Sequence, residues 1–485
     1  MIATRLMRTP RAARMRVVLL ALAAVACSPD RILEVEDIDV ALPPSVEGPT
    51  ALPSLLAGAI GDFGTAYNGG VQSSGLALDL NQVTLSGLIS DELINTETFP
   101  TRIEVDQRQQ QYQSNGSLRD AYYAIQQARR SADRANEGYI EFGPNELGRA
   151  EALNLSALAL ILMAENYCGA VPISRQVSPG VFEYGAALST TELLRLALSK
   201  ADTALAHARA TTTTGTAATK LAQERLARIV RARAYLNLDR PDSAAMNLGE
   251  AQVPTTYQYF FKHSEVTGRQ NNGTWATISS VARFGVPQME GGNGLPFRSE
   301  GDTAGTVDDP RIMNFRRAGA GLGFDGATAQ WVVGKHNKRD TLAVIADGVE
   351  ARLIEAEAAL RAGNYTTTLT ILNALRANVG LARLRGHFDA NQDPRTLPAL
   401  LPAATPDAQR DQLFKERAYW LYLTSHRLGD LRRLVRQYGR GAETVFPTGT
   451  YHKPGTYGAD VNSPIPQAED NNPEFERSAC VVTQA

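Results

Sequence analysis

Six histidines punctuate this 485-residue chain: His207, His263, His336, His387, His426 and His452. A metal site built on histidine needs imidazoles that meet one ion, as the i, i+4 pair of H-E-x-x-H does. No two of these stand at such a spacing, so no metal is expected. The hexapeptide GLGFDG, residues 321–326, satisfies G-x-G-x-x-G. That pattern cradles a pyrophosphate only where it follows a strand and opens a helix, and this one lacks that setting, so no cofactor is expected. Asp91 and Glu92 could be taken for the acid and base of a glycosidase. Hydrolysis requires two carboxyls at a set separation across a cleft, which sequence neighbours do not establish. The pair reads more simply as an acidic surface stretch, and no catalytic residue is assigned.

The elements that would position any site are mostly helical. Hydrophobic spacing predicts helices over 117–138, 145–168, 190–208, 223–238, 243–251, 347–362, 366–379 and 407–438. Ser117 and Gly138 mark a start and a stop, and Gly169 with Pro172 ends the second helix. Segments 233–248 and 357–372 overlay as helix, short turn, helix, with Leu236 on Leu360 and Leu248 on Leu372. Such hairpins bury their apolar stripes against their neighbours. The repeat is far from a regular 34-residue period, so the expected fold is an irregular tetratricopeptide-like helical scaffold, with repeats over about 117–251 and 343–440. Residues 43–115 read as irregular. A loop-rich insertion occupies about 252–342, with 12 glycines between 263 and 330. Its aromatic residues are YQYFF at 257–261, Trp275, Phe284, Phe297, Phe315, Phe324 and Trp331. Ordered loops of this length are usually functional. The YQYFF run reads as a buried or edge strand, and Trp420 as core.

The N-terminus carries an export signal. Five arginines precede the ten apolar residues Val17–Ala26, and no acid appears before Asp30. Ten residues are half of what a spanning helix needs, and the pattern is that of a signal peptide over 1–26. Ala24 and Ala26 before Cys27 resemble a bacterial lipobox, although Ala24 stands where leucine is usual. The resemblance implies cleavage before Cys27, lipidation of its thiol, and a membrane anchor. Without residues 1–26 the formal charge falls from −2 to −7, which argues against a nucleic-acid groove. Cys168 and Cys480 remain, and an oxidising compartment permits a bridge without requiring one.

The segment LFKERAYWLYLTSHRLGDLRRL, residues 413–434, resembles the signature of the SusD/RagB family of outer-membrane nutrient-binding lipoproteins. Glu416, Arg417, Leu421, Arg427, Asp430, Leu431 and Arg433 carry the likeness. Trp420, Thr424 and Ser425 depart from it. Arg427 and Asp430 share a helix face and read as ties to a neighbouring helix. Four further stretches follow the family's order: SDEL at 90–93, residues 148–173, EARLIEAEAALRAGN at 350–364 and SPIPQAEDNNP at 463–473. The resemblance covers about 27–475. It implies one SusD-like domain over 27–485, with no catalysis, lipid-anchored to the outer membrane and facing outward. It further implies capture of an oligosaccharide, or a peptide, for a SusC-like TonB-dependent transporter. A helical-repeat scaffold lipoprotein acting through protein contacts is the alternative. Sugar rings lie flat on aromatic side chains while amides and charges bond their hydroxyls. On that implication Trp275 and Trp331 are the candidate platform, with Asn271, Asn272, Arg283 and Lys335 as polar partners.

Overall fold

A computed structural model describes residues 48–69, 80–178, 181–211, 215–266, 270–298, 309–378, 380–381 and 397–485. The expected signal peptide, Cys27 and His387 lie outside the described residues. The part of the chain before residue 116, read as irregular, contains three helices: α1 (Leu52–Asn68), α2 (Gln82–Ile89) and α3 (Pro100–Asp106). Glycines obscured α1, and one of them is required: a Cβ on Gly64 would stand 2.1 Å from the Phe261 ring.

The long helices follow the hydrophobic spacing. These are α4 (Gly116–Phe142), α5 (Gly148–Asn166), α6 (Thr190–Ala210) and α7 (Ala217–Asn237). A short α8 (Pro241–Ala245) leads across the insertion to α9 (Gly348–Arg361), α10 (Tyr365–Ala377), α11 (Pro406–Trp420) and α12 (Arg427–Arg436). Side-chain caps set several of their starts. Ser189 and Glu192 cap α6 reciprocally, and Thr216, Asp347, Asn364 and Thr405 each accept a backbone N–H three residues on. The helix expected over 243–251 stops at Ala245, because Met246 is extended and Asn247 is left-handed at φ 61°. Packing runs in sequence: α1 on α4, α4 on α5, α5 on α6, α6 on α7, α7 on α8, α8 on α9, α9 on α10. The two overlaid hairpins are therefore neighbours. Helix α5 is buried nearly all round at the centre of the main core. A second cluster, with Leu353, Leu372, Leu413 and Trp420, joins α9, α10 and α11.

The signature segment departs from the single helix expected over 407–438. It breaks at residues 421–426, where Leu423 and Ser425 are left-handed at φ 50° and 58°. The backbone groups freed by the break are met from afar. Tyr67 Oη donates to Thr424 O (3.0 Å), Arg233 Nη2 to Ser425 O (3.2 Å), and Lys335 Nζ to Tyr422 O. Leu423 N–H donates to Glu92 Oε1 (3.1 Å). The charged residues tie helices together, as the sequence suggests. Arg427 clasps Glu290 through two bonds, Arg417 clasps Asp430 at 2.8 Å, and Arg433 bridges Asp430 and Glu357. Arg311 and Arg376 both reach Glu416. All of these are buried. Cys168 and Cys480 form a disulfide that ties the C-terminal tail to the end of α5 across 312 positions.

Candidate ligand-binding face

Among the described residues the strands form five two-stranded antiparallel ribbons. Those that matter here are β1 (Ile94–Asn95) with β7 (Phe284–Gly285), β6 (Gln258–Phe261) with β10 (Ala343–Asp347), and β8 (Asn314–Arg316) with β9 (Trp331–Val333). The remaining ribbons pair β2 (Val171–Pro172) with β5 (Ala187–Leu188) and β3 (Arg175–Ser178) with β4 (Val181–Glu183). YQYFF thus supplies a half-buried strand, as expected.

The β1–β7 ribbon stitches the early chain to the insertion. Thr96 N–H donates to Arg283 O (2.8 Å), Phe324 N–H to Ala282 O (2.9 Å), and Asp325 N–H to Thr96 O (3.0 Å). The approach is so close that a Cβ on Gly323 would lie 2.6 Å from Thr96 O. Three loops thereby converge on one ledge. Phe99 (43% exposed) and Phe324 (51%) stand with ring centroids 6.1 Å apart, tilted by 35°. The Arg283 guanidinium lies over both rings, at 5.4 and 5.5 Å. Arg102 covers Phe99 at 4.6 Å and is held by buried Glu97. Lys453 pairs with Asp325 at 3.0 Å and bonds Asn95 Oδ1. Burial works against the charge on Asp325, but bonds from Thr328 and Ala327 prevail and hold its carboxyl down at about 2. Two part-exposed rings with guanidiniums over them can offer apolar surface to a ligand and hydrogen-bond donors to its substituents.

The sequence candidates are distributed differently. Arg283 is on the ledge. Trp275 is half-buried at a short helical turn, with the Arg339 guanidinium 5.4 Å over its ring, and Asn271 precedes that turn. Asn272 is buried: it caps the turn at Trp275 N (2.9 Å) and bonds Thr341 O. Trp331 is 4% exposed and Lys335 2%, its ammonium on Tyr422 O. These last three side chains support the loops from behind. Asp91 and Glu92 are buried as well, which corrects the expected acidic surface. Asp91 accepts from Gly291 N–H (3.0 Å), and both carboxyls are pushed up by burial. Phe99 was missed because it stands in the stretch read as irregular. Its one local signal is Pro100, the first residue of α3.

The described residues form a stack of helical hairpins with several aromatic residues on the inserted loops. Residues 350–476 match the family model described as SusD family. Among similar solved structures is a SusD-like carbohydrate binding protein from Bacteroides fragilis (TM-score 0.58, 14% identity, covering 88% of this chain and 99% of that one). Another is a SusD/RagB family protein from Bacteroides thetaiotaomicron (TM-score 0.57, 12% identity, 87% and 96%). A third is a SusD-like carbohydrate binding protein from Bacteroides vulgatus (TM-score 0.51, 12% identity, 79% and 83%). No curated protein matches the sequence. The chain thus matches the SusD family model over its C-terminal part and shares the fold of SusD-superfamily structures over most of its length.

Proposed function

We propose that the protein captures an oligosaccharide on the Phe99–Phe324–Arg283 ledge and passes it to a SusC-like TonB-dependent transporter. In this reading it is one SusD-like domain, cleaved after residue 26 and held in the outer membrane by lipid on Cys27, facing outward. The observation that carries it is the pair of exposed rings bridged by a guanidinium, on a fold shared with proteins described as carbohydrate binding. Trp275 and Asn271, on the same insertion in sequence, are further candidate contacts. Calorimetry against a panel of neutral and acidic oligosaccharides and of peptides tests the ligand. Phe99→Ala and Phe324→Ala are each expected to weaken binding by about 1–2 kcal/mol, roughly 5- to 30-fold, at unchanged Tm. Equal binding by both variants would remove the ledge from the site, and peptide-only binding would replace the ligand class. Co-purification of the lipidated chain with an equimolar β-barrel protein tests delivery. Recovery of periplasmic proteins alone would favour the scaffold alternative.

A further inference from the structure

A cavity of about 600 Å³ opens between the start of α6, the end of α7, the end of α12 and the C-terminal tail. Arg432 and Arg436 of α12 line it, with Arg195 of α6 and Arg240 beyond α7. Arg432 is only 2% exposed. Its hydrogen bonds are all made by Nη1, to the carbonyls of Ala164, Glu165 and Tyr167, and its buried Nε has no acceptor. Arg436 makes no side-chain hydrogen bond or ion pair among the described residues. The carboxylates nearest in charge are already engaged. Glu165 is held by Arg233 and Asn237, and Asp239 pairs with Arg361 at 2.8 Å. Burial, with a push from neighbouring guanidiniums that Glu165 and Asp239 only partly offset, depresses Arg432 to about 9 and Arg436 to about 10. The first turn of α6, a 21-residue helix, adds Thr190 and Thr191 to the rim at the positive end of its dipole. Leu194, Leu198 and Leu238 supply an apolar wall.

We propose that this cavity is a second binding site, distinct from the ledge, for a small organic anion whose carboxylate or phosphate oxygens bridge Arg432 and Arg436. Planar guanidiniums suit paired oxygens. The volume exceeds that of a bare inorganic anion, and the leucines accommodate a carbon body.

The test is thermal unfolding and calorimetry of the full chain with malonate, citrate, inorganic phosphate and sulfate, each matched in ionic strength by sodium chloride. Saturable stabilisation by the anions, absent with chloride, is expected. Carboxylates exceeding phosphate would assign the head group as carboxylate, and the reverse order would assign phosphate. Arg436→Gln is expected to weaken the anion by roughly tenfold, and the exposed Arg195→Gln to weaken it less while leaving the fold intact. Stabilisation equal to that by chloride, or undiminished in both variants, would overturn the site. Oligosaccharide binding at the ledge is expected to be unaffected, so the two proposals fail separately.

Discussion

Glu92 is fully buried, with one carboxylate oxygen on the Leu423 amide and the other without a partner. Burial pushes its carboxyl up to about 8, against the pull of Arg427 and Lys335 and with a further push from Glu290. The folded value lies above the unfolded value of about 4.3, so folding favours the protonated form. This contribution is full below about pH 4 and is lost as pH rises through about 8. Asp91 and Asp106, also raised chiefly by burial, act on the same alkaline side. Asp430 has the opposite sign. Against the cost of burial, Arg417 and Arg433 hold it well below the carboxylate range, so its contribution is present above about pH 4 and is lost on acidification. Tm is therefore expected to fall from pH 5 to pH 9. Glu92→Gln, which keeps the neutral shape, should recover on the order of a few kcal/mol of that loss. An alkaline limb as steep in the variant as in the parent would assign the loss to other groups.

At the scale of elements, the tail beyond residue 460 is held by few regular contacts. Ser463 exchanges main-chain bonds with the end of α5 (Ser463 N–H to Asn166 O, 2.8 Å; Cys168 N–H to Ser463 O, 2.9 Å), the tail folds on itself through Val461 N–H to Val482 O, and the Cys168–Cys480 bridge adds a covalent tie. Cys480→Ser is expected to cost about 2–4 kcal/mol, read as a lower denaturant midpoint, with faster amide exchange over 461–484. An unchanged midpoint would show that packing alone secures the tail. The bridge was open in the sequence because two cysteines so far apart define no geometry. Other elements were legible to within a few residues. Helix α6 announces itself through Ser189, Glu192 and an apolar stripe, and the overlaid hairpins through their leucines. Helices α1–α3 did not, since glycine and proline hid a pattern that tertiary packing tolerates. Nor did the break at 421–426, because the groups that stabilise it, Tyr67, Glu92, Arg233 and Lys335, are remote in sequence. The ledge was half legible: Arg283 by type and place, Phe324 as one aromatic among several, and Phe99 only through its three-dimensional partner.

For the molecule as a whole, the ledge and the arginine-lined cavity are built on different elements, the first on inserted loops and the second on helix ends and the tail. The inserted loops can vary while the helical stack remains, which suits a fold carried at 12–14% identity by similar solved structures.

Glu92, Gln82 and Tyr67 bond to residues 331, 343 and 357 positions later in the chain. Contacts of that span form slowly, because the long intervening segment must first be brought round. Helices α1, α4 and α5 can pack on one another as the chain emerges, but the carboxylate and hydroxyl that clamp the break at 421–426 arrive hundreds of residues before their partners, so that clamp closes only when the polypeptide is finished.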